Sequence, residues 1–319
     1  MAAHSILIPF SPRRPEQVLP YAALVYWSNA ERLWQGQSLL VEPHQAFSYA
    51  AGAGFRIPVG SGVTLMPFRH PYEAALQARS LAMTTGHPVI AGFGPGGRAL
   101  QEALLGAPYR SQLGAVREYV TIVRSLLSGE PTAVTGEYFS CHGQMAPHPH
   151  ADVRIGLGVL RPAMAELAGE TADAAITWLT PAPYVRDTLI PALRAGAERA
   201  GRKMPKVTAI VPMAVSRTDC EPAELALAGN SGHLRLPHYI DMLRRAGVDV
   251  AGSDPTTAAE ALVKIGAFLS GDAGQLAERL REYSDAGVDE IVLNLTGVYQ
   301  KCGPEAALSD IKTILAEVA

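Results

Sequence analysis

The chain alternates short β-prone runs with longer amphipathic runs along almost its whole length. Eight runs have the apolar, β-branched character of strands, and they cover residues 4–10, 31–36, 55–63, 88–94, 153–159, 174–179, 207–215 and 290–296. Between them, apolar residues recur at the three- and four-residue spacing of a helix face. Parallel strands need crossover connections, so eight such units in 319 residues predict an α/β fold, a (β/α)8 TIM barrel rather than an open doubly wound sheet.

Two stretches are longer than a minimal barrel requires. Residues 130–152 predict a hairpin followed by a loop rich in Pro and His, and residues 220–272 predict extra helices. They follow the fourth and the seventh predicted strand, which makes them insertions at the face where barrels build their sites. Because no change of composition marks a boundary, we expect a single domain over residues 1–319.

Composition restricts the ligand class and the compartment. The formal net charge is −3 and the basic residues are scattered without forming a basic stripe, so neither a nucleic acid nor an anionic membrane is favoured, and a neutral or small substrate fits better. Cys141, Cys220 and Cys302 lie far apart without a CxxC pattern, which indicates a reducing compartment. No apolar run approaches the roughly 20 residues of a spanning helix. We therefore expect a cytoplasmic protein.

Three predicted strands run into glycine, and in a barrel their ends share the face that carries the active site. After the fifth strand, Gly156 and Gly158 allow backbone to approach a ligand closely. Arg161 and Pro162 then open a helix whose free N–H groups favour a phosphate, and Arg161 can add charge-assisted hydrogen bonds. The alternative is a tight turn with an exposed arginine.

Residues 92–97, GFGPGG, satisfy the pattern of a dinucleotide-binding turn, and Glu118 lies at about the right distance beyond it. That pattern belongs to the first βα turn of a Rossmann unit, whereas this one follows a fourth strand and contains Pro95. We therefore expect a loop that contacts a cofactor rather than a dinucleotide site.

Several polar and aromatic residues leave two interpretations open. Segment 141–150 holds one cysteine and three histidines, but their spacing is not that of paired metal ligands, so we expect a surface or lid loop and no metal. His70 is either a polar anchor near a cofactor or the cap of the next helix. Trp34 and Trp178, each late in a strand, either wall a pocket for a planar ring or simply pack. Motifs typical of hydrolysis and phosphoryl transfer are lacking.

Five blocks together resemble the bacterial luciferase-like family of barrel oxidoreductases. They are ERLWQG, GSGVTLMPFRHPYEAALQARSLA, GFGPGG, LRPAMAELAGETADAAITW and AGVDEIVLN, and their order and spacing cover nearly the whole chain. Within the family, the chain is most similar to the branch that uses the deazaflavin coenzyme F420.

The resemblance implies an F420 ring, or FMN as the alternative, over the strand ends. A non-prolyl cis peptide bond at Gly62–Val63 would back this ring, and the phosphate-binding turn would span Gly156 to Arg161. The implied cofactor-binding residues are Gln37, Gly62, Val63, Thr64, Gly94, Gly96, Gly156, Leu157, Gly158, Val159, Arg161, Thr177 and Trp178. Relatives are often dimers, so a homodimer is a further implication.

The chain also departs from its relatives in ways that bear on the reaction. Many relatives carry an Asp-His pair after the second strand, where this chain has Gln37 and Ser38, and no acid follows the fourth strand. An alcohol oxidation that needs a strong base is therefore in doubt. A deazaflavin transfers a hydride, so we expect reduction of a polarised C=C or C=N bond in a small molecule or a peptide, with dehydroamino acids of a modified peptide as one specific substrate.

The proton donor for such a reduction stays open among four residues. The candidates from segments predicted to face the site are Tyr109, Tyr138, His142 and His238. Three other functions remain as alternatives: an FMN-dependent monooxygenase on the same fold, a non-catalytic protein that binds a flavin or deazaflavin, and, more remotely, a Rossmann dehydrogenase.

Overall fold

Eight parallel strands close into a barrel in a computed structural model that describes residues 2–318. The strands within the described residues are β1 (Ala3–Leu7), β2 (Leu33–Gln35), β3 (Val59–Ser61), β4 (Thr64–Leu65), β5 (Val89–Gly94), β6 (Thr132–Thr135), β7 (Ser140–Gly143), β8 (Val153–Gly158), β9 (Ala174–Trp178), β10 (Lys206–Val215), β11 (Leu269–Gly271) and β12 (Glu290–Asn294). The barrel order is β1, β2, β3 with β4, β5, β8, β9, β10 and β12, and β12 pairs again with β1. The predicted TIM barrel is confirmed.

Helices surround the barrel and connect its strands. They are α1 (Leu19–Trp27), α2 (Pro43–Gly52), α3 (Pro71–Thr85), α4 (Arg98–Leu105), α5 (Gln112–Leu127), α6 (Pro162–Thr171), α7 (Ala182–Tyr184), α8 (Ile190–Arg199), α9 (Pro222–Asn230), α10 (Pro237–Arg245), α11 (Pro255–Lys264), α12 (Ala273–Asp285) and α13 (Thr296–Glu317). Several begin with proline, whose missing N–H and fixed φ suit the first helical position. None of the helices in residues 2–318 has both the length and the apolar character that a membrane crossing requires.

All eight predicted barrel strands are present, and all but the seventh are shorter than predicted. The first was predicted to reach residue 10 but ends at Leu7, just before Pro9, which has no N–H for the ladder. The third was predicted over residues 55–63 but covers only Val59–Ser61, after Pro58. A cis peptide bond at Gly62–Val63 then separates β3 from β4.

Both predicted insertions are present. The first contains the predicted hairpin, in which β6 and β7 pair antiparallel. The second follows β10 and contains α9, α10 and α11. It also contains β11, which pairs with β10 and was not predicted, because three residues give too short a pattern to recognise.

Apolar side chains pack around Trp34 in the interior of the barrel. Its side chain is fully buried, and its indole nitrogen donates a 2.7 Å hydrogen bond to Oε1 of Glu290. Ser5 and Arg32 donate to the same oxygen over 2.6 and 3.3 Å. A Cβ at Gly60 would lie 2.7 Å from the Trp34 ring, so only glycine fits above it. Of the two interpretations of Trp34, the structure shows packing rather than a pocket wall.

Candidate active site

A cleft of about 1270 Å³ opens over the carboxyl ends of the barrel strands. Single drug-sized ligands usually occupy about 300–1,000 Å³, so this cleft has room for an elongated ligand and a second molecule. Residues at or just after the ends of seven barrel strands line it, together with Ile210 within β10 and residues of the second insertion, which follows β10. Those that the sequence predicted are Gln37, Gly62, Val63, Gly94, Gly96, Gly158, Val159, Arg161, Thr177, Trp178 and His238.

Three predicted cofactor residues lie behind the wall of the cleft instead of on it. The hydroxyl of Thr64 is buried and donates a 2.9 Å hydrogen bond to the carbonyl of Gly92, which ties β4 to β5. Gly156 and Leu157 lie within β8, and the Leu157 side chain is fully buried in the hydrophobic core. These residues are placed to support the site rather than to contact a ligand.

The expected cis peptide bond at Gly62–Val63 is confirmed, and the Val63 side chain lies between the ends of β5 and β8. A Cβ at Gly94 would lie 2.8 Å from Cγ2 of Val63, which explains why glycine is needed there. Gln37 binds the same segment, because its backbone N–H donates to the Val63 carbonyl at 3.1 Å and its Oε1 accepts from Leu65 N at 3.4 Å. The glycines and Gln37 therefore hold the bulge at the floor of the cleft.

Two helices begin at the cleft with an arginine. Arg98 is the first residue of α4, and Arg161 immediately precedes α6. Neither helix start has a capping hydrogen bond from a side chain, and neither first turn contains Asp or Glu. A positive side chain there lies at the positive end of the helix dipole, and this repulsion costs roughly 0.3–1 kcal/mol. A bound anion would offset the repulsion, so the site favours anion binding. Arg98 was not among the predicted site residues, although an arginine directly after a glycine-rich turn was a usable signal.

The Arg161 side chain is already paired with an acid from the second insertion. Asp241 on α10 lies 3.6 Å from Arg161 and 3.1 Å from Arg245. The hydrogen bond from Arg245, together with the charges of both arginines, holds the pKa of the Asp241 carboxyl below its usual value despite its partial burial. Among the described residues that line the cleft, Asp241 is the sole one with a carboxylate. This carboxylate is ionised and paired with Arg161 and Arg245.

An aromatic cluster from β9 and the second insertion forms another wall. Trp178 stacks on His233 with ring centroids 5.0 Å apart, and Tyr239 meets His233 edge-on at 4.8 Å. Burial, and secondarily the nearby His238, lowers the pKa of His233 to about 4, so its imidazole is neutral at pH 7. Burial and the charge of Arg161 also lower the pKa of His238. The hypothesis that Trp178 walls a pocket agrees with this arrangement.

Of the four predicted proton donors, His238 lines the cleft and the other three do not. Tyr109 is buried, and burial raises the pKa of its phenol to about 12. The hydroxyl of Tyr138 accepts a 2.8 Å hydrogen bond from Ser111 N. His142 lies exposed on β7 and contacts the Thr135 hydroxyl at 2.9 Å. The positions of Tyr109, Tyr138 and His142 give no support to a role as proton donor, because none of the three lines the cleft.

His70 proves to be the cap of a helix. Its Nδ1 accepts a 3.2 Å hydrogen bond from Tyr72 N at the start of α3. Glu118 has an equally structural role, since its carboxylate accepts hydrogen bonds from the backbone N–H groups of residues 137–139 in the hairpin. Within residues 2–318, no three His, Cys, Asp or Glu side chains come close enough together to hold a metal ion.

Comparison with known proteins places this geometry in a family. The family described as luciferase-like monooxygenase matches residues 11–290. An F420-dependent glucose-6-phosphate dehydrogenase of Nakamurella multipartita is 29% identical over 252 residues, which are 76% of this chain and 73% of the relative. A 5,10-methylenetetrahydromethanopterin reductase of Methanolobus tindarius is 29% identical over 257 residues, 74% of this chain and 76% of the relative.

Solved structures share the same fold. The coenzyme F420 dependent tetrahydromethanopterin reductase from Methanopyrus kandleri superposes with a TM-score of 0.77 at 20% identity and covers 99% of this chain and 98% of that one. An F420-dependent secondary alcohol dehydrogenase gives 0.77 at 16% identity, over 98% of this chain and 99% of that one. The chain belongs to the luciferase-like monooxygenase family, as the sequence blocks predicted.

Proposed function

We propose that this protein is an F420-dependent oxidoreductase with its active site in the cleft. The observation that carries the proposal is the pair of helix starts at Arg98 and Arg161, both open to the same cleft and both without a capping side chain. F420 is anionic at its phosphate and its glutamate tail, and such a ligand would remove the unfavourable charge at both helices. Two relatives at 29% identity, an F420-dependent dehydrogenase and a methylenetetrahydromethanopterin reductase, support the same class.

The residues at the cleft fit such a cofactor in shape and charge. The turn from Gly158 to Arg161 and the start of α6 would bind the phosphate. The loop at Gly96 and Gly97 offers bare backbone, and a Cβ at Gly97 would meet nothing within 4 Å. The bulge at Gly62–Val63 would support the ring. These assignments keep the predicted cofactor residues that line the cleft and add Arg98.

We propose that the reaction is the reduction of a polarised C=C or C=N bond in a small molecule or a peptide. When bound, reduced F420 supplies a hydride from its deazaflavin ring. The protein must then orient the acceptor, exclude water and supply a proton, and His238 is the predicted donor that lines the cleft. Alcohol oxidation has less support, because Asp241 is engaged by two arginines and the lowered pKa of His233 makes it a weak base.

Direct binding tests the cofactor. We expect the purified protein to bind F420, seen as a change in deazaflavin fluorescence, with an affinity that falls as salt is added. Arg98→Met and Arg161→Met should each weaken this binding, whereas Arg110→Met, an exposed arginine outside the cleft, is the matched control. Tight binding of FMN without binding of F420 would overturn the proposal and favour the monooxygenase alternative.

We further propose that residues 1–319 form a single domain. One hydrophobic cluster that includes Ala2 near one end and Leu315 near the other supports this organisation. Limited proteolysis should therefore produce no stable fragment of about half the chain.

A further inference from the structure

The cleft carries charged side chains on one side only. The ends of β5 and β8 are neighbours in the barrel, and the residues that follow them place Arg98 and Arg161 in the wall. We call the lining residues within 94–112 and 158–164 the basic arm. Asp241 covers this arm from α10.

The opposite side has a different character. The ends of β12, β1 and β2 are also neighbours, and we call their lining residues, within 7–11 and 35–38 plus Thr296 and Gln300, the neutral arm. It comprises ten lining residues of the described chain, and none of them has a charged side chain. The two arms therefore suit two molecules of different charge.

The charged residues close in sequence to the neutral arm are directed elsewhere. Glu42 is bound by Arg69 at 3.0 Å, and neither residue lines the cleft. Lys301 follows Gln300 directly, but its ammonium pairs with Glu224 at 3.4 Å. Arg13 is exposed and does not line the cleft either. No cation is thus placed to neutralise an anionic group bound in the neutral arm of the described chain.

The neutral arm offers apolar surface and a few uncharged polar groups. The Phe10 ring lines the cleft and stacks on Tyr299 with centroids 4.6 Å apart. Leu7 and Ile8 are further apolar residues of this arm that line the cleft. Ser11 and Gln300 line the cleft, and neither side chain is used in a hydrogen bond within residues 2–318. A carbonyl, amide or hydroxyl group of a ligand would be a suitable partner for them.

Resting on the F420 function proposed above, we propose that the neutral arm binds the substrate and selects an uncharged, largely apolar molecule. Its polar groups would be carbonyls, amides or hydroxyls, and phosphate esters and carboxylates would be rejected. The reason is that an ion removed from water without a partner loses several kcal/mol of solvation, whereas apolar surface gains about 25 cal/mol per Å² on burial. This substrate class excludes sugar phosphates, although several relatives are named for glucose 6-phosphate.

The test uses two ligands that differ in charge but not in the reacting group. A cyclohexenone that carries a remote carboxymethyl group is compared with its methyl ester, and each is titrated into the F420-loaded protein. The readout is the change in cofactor fluorescence on binding, together with kcat/KM when reduced F420 is present. We expect the ester to bind at least about tenfold more tightly than the acid, which corresponds to about 1.4 kcal/mol.

A cation placed in the neutral arm should reverse this preference. Gln300→Arg is expected to raise the affinity for the acid relative to the ester by about tenfold. Ala99→Arg adds the same charge to the basic arm and is the matched control, and it should leave the ratio unchanged. Gln300→Met tests whether loss of the amide alone has the same effect.

The outcomes separate this inference from the proposed function. If the wild-type protein does not bind F420, the proposed function fails and the inference fails with it. If F420 binds but the acid binds as tightly as the ester, or neither compound binds, the inference alone is overturned. An equal change of the ratio in Gln300→Arg and Ala99→Arg would also contradict it, since the charge of the neutral arm would then not decide the selection.

Discussion

The indole nitrogen of Trp34 donates to Oε1 of Glu290 across the interior of the barrel, over 2.7 Å. Because the carboxylate is almost completely buried, Trp34→Phe should leave an acceptor less well satisfied and lower the free energy of unfolding by about 1–3 kcal/mol. Urea denaturation measures this loss. Trp178→Phe is the matched control, since the Trp178 indole nitrogen has no hydrogen-bond partner within residues 2–318. Equal losses in both variants would contradict the role of the Glu290 contact.

A leucine at Gly158 should abolish cofactor binding without unfolding the protein. A Cβ there would lie 3.4 Å from Cγ1 of Val63, which is tolerable, but the rest of the side chain would project into the cleft. Titration with F420 should therefore show no binding while the melting temperature stays near that of the wild type. Gly52→Leu, at an exposed site away from the cleft, is the control. Unchanged affinity in Gly158→Leu would refute the proposed phosphate turn.

Acid should weaken the fold through Glu42, the residue that caps α2. Burial alone would raise the pKa of Glu42, but hydrogen bonds from His44 and the charges of His44 and Arg69 outweigh it and lower the pKa to about 2. A lowered carboxyl pKa stabilises the folded state above the unfolded value of 4.5, and this stability is lost as the pH falls from there to about 2.

The variant Glu42→Gln isolates this contribution. It should be less stable than the wild type by on the order of 1–3 kcal/mol at pH 7, and the difference should shrink between pH 4.5 and pH 3. Urea denaturation at a series of pH values measures it. Glu278→Gln, at a largely exposed side chain, should show no such convergence. A difference that stays constant with pH would mean that the charge of Glu42 is not responsible.

His233 should give the protein a second dependence on pH, in a higher window. The pKa of His233 is lowered from 6.5 to about 4 by burial and by His238, so the unfolded chain takes up its proton first as the pH falls. The stability that this residue contributes is present above pH 6.5 and is lost between pH 6.5 and 4. His233→Phe, which keeps a ring against Trp178, should remove this part of the pH dependence. His148→Phe, at an exposed histidine, should leave it intact.

Much of the fold could be predicted because it depends on local patterns. The β-prone runs identified all eight barrel strands, the three- and four-residue spacing of apolar residues indicated the helices between them, and the glycines at the strand ends indicated the face that carries the cleft. Gly158 and Arg161 were predicted from the glycine-rich turn after the fifth strand, Gln37 was implied by the family resemblance, and the closed barrel brings all three to one cleft. Pro9 lies just after the end of β1, and Pro58 lies just before the start of β3. Both prolines could have been used to predict these two strand boundaries.

The parts that were not predicted depend on contacts across the chain. The sequence around Tyr138 does not show that its hydroxyl accepts a hydrogen bond from Ser111 N. The sequence around His142 likewise does not show that its ring contacts the Thr135 hydroxyl. The stack of Trp178 on His233 joins residues 55 positions apart, so only the folded chain reveals it. Arg98 did carry a local signal, an arginine directly after a glycine-rich turn, and what only the fold adds is that the similar helix start at Arg161 opens to the same cleft.

The separation of the basic arm from the neutral arm has a consequence for how such a barrel changes over time. The arms come from different connecting segments, those after β5 and β8 and those after β12, β1 and β2. Mutations that alter one set of segments leave the other in place, because the closed barrel between them holds each strand end by its own pairs. Proteins that evolve from this scaffold can therefore acquire new substrates through mutations in the neutral arm, while the basic arm keeps its affinity for the same redox cofactor.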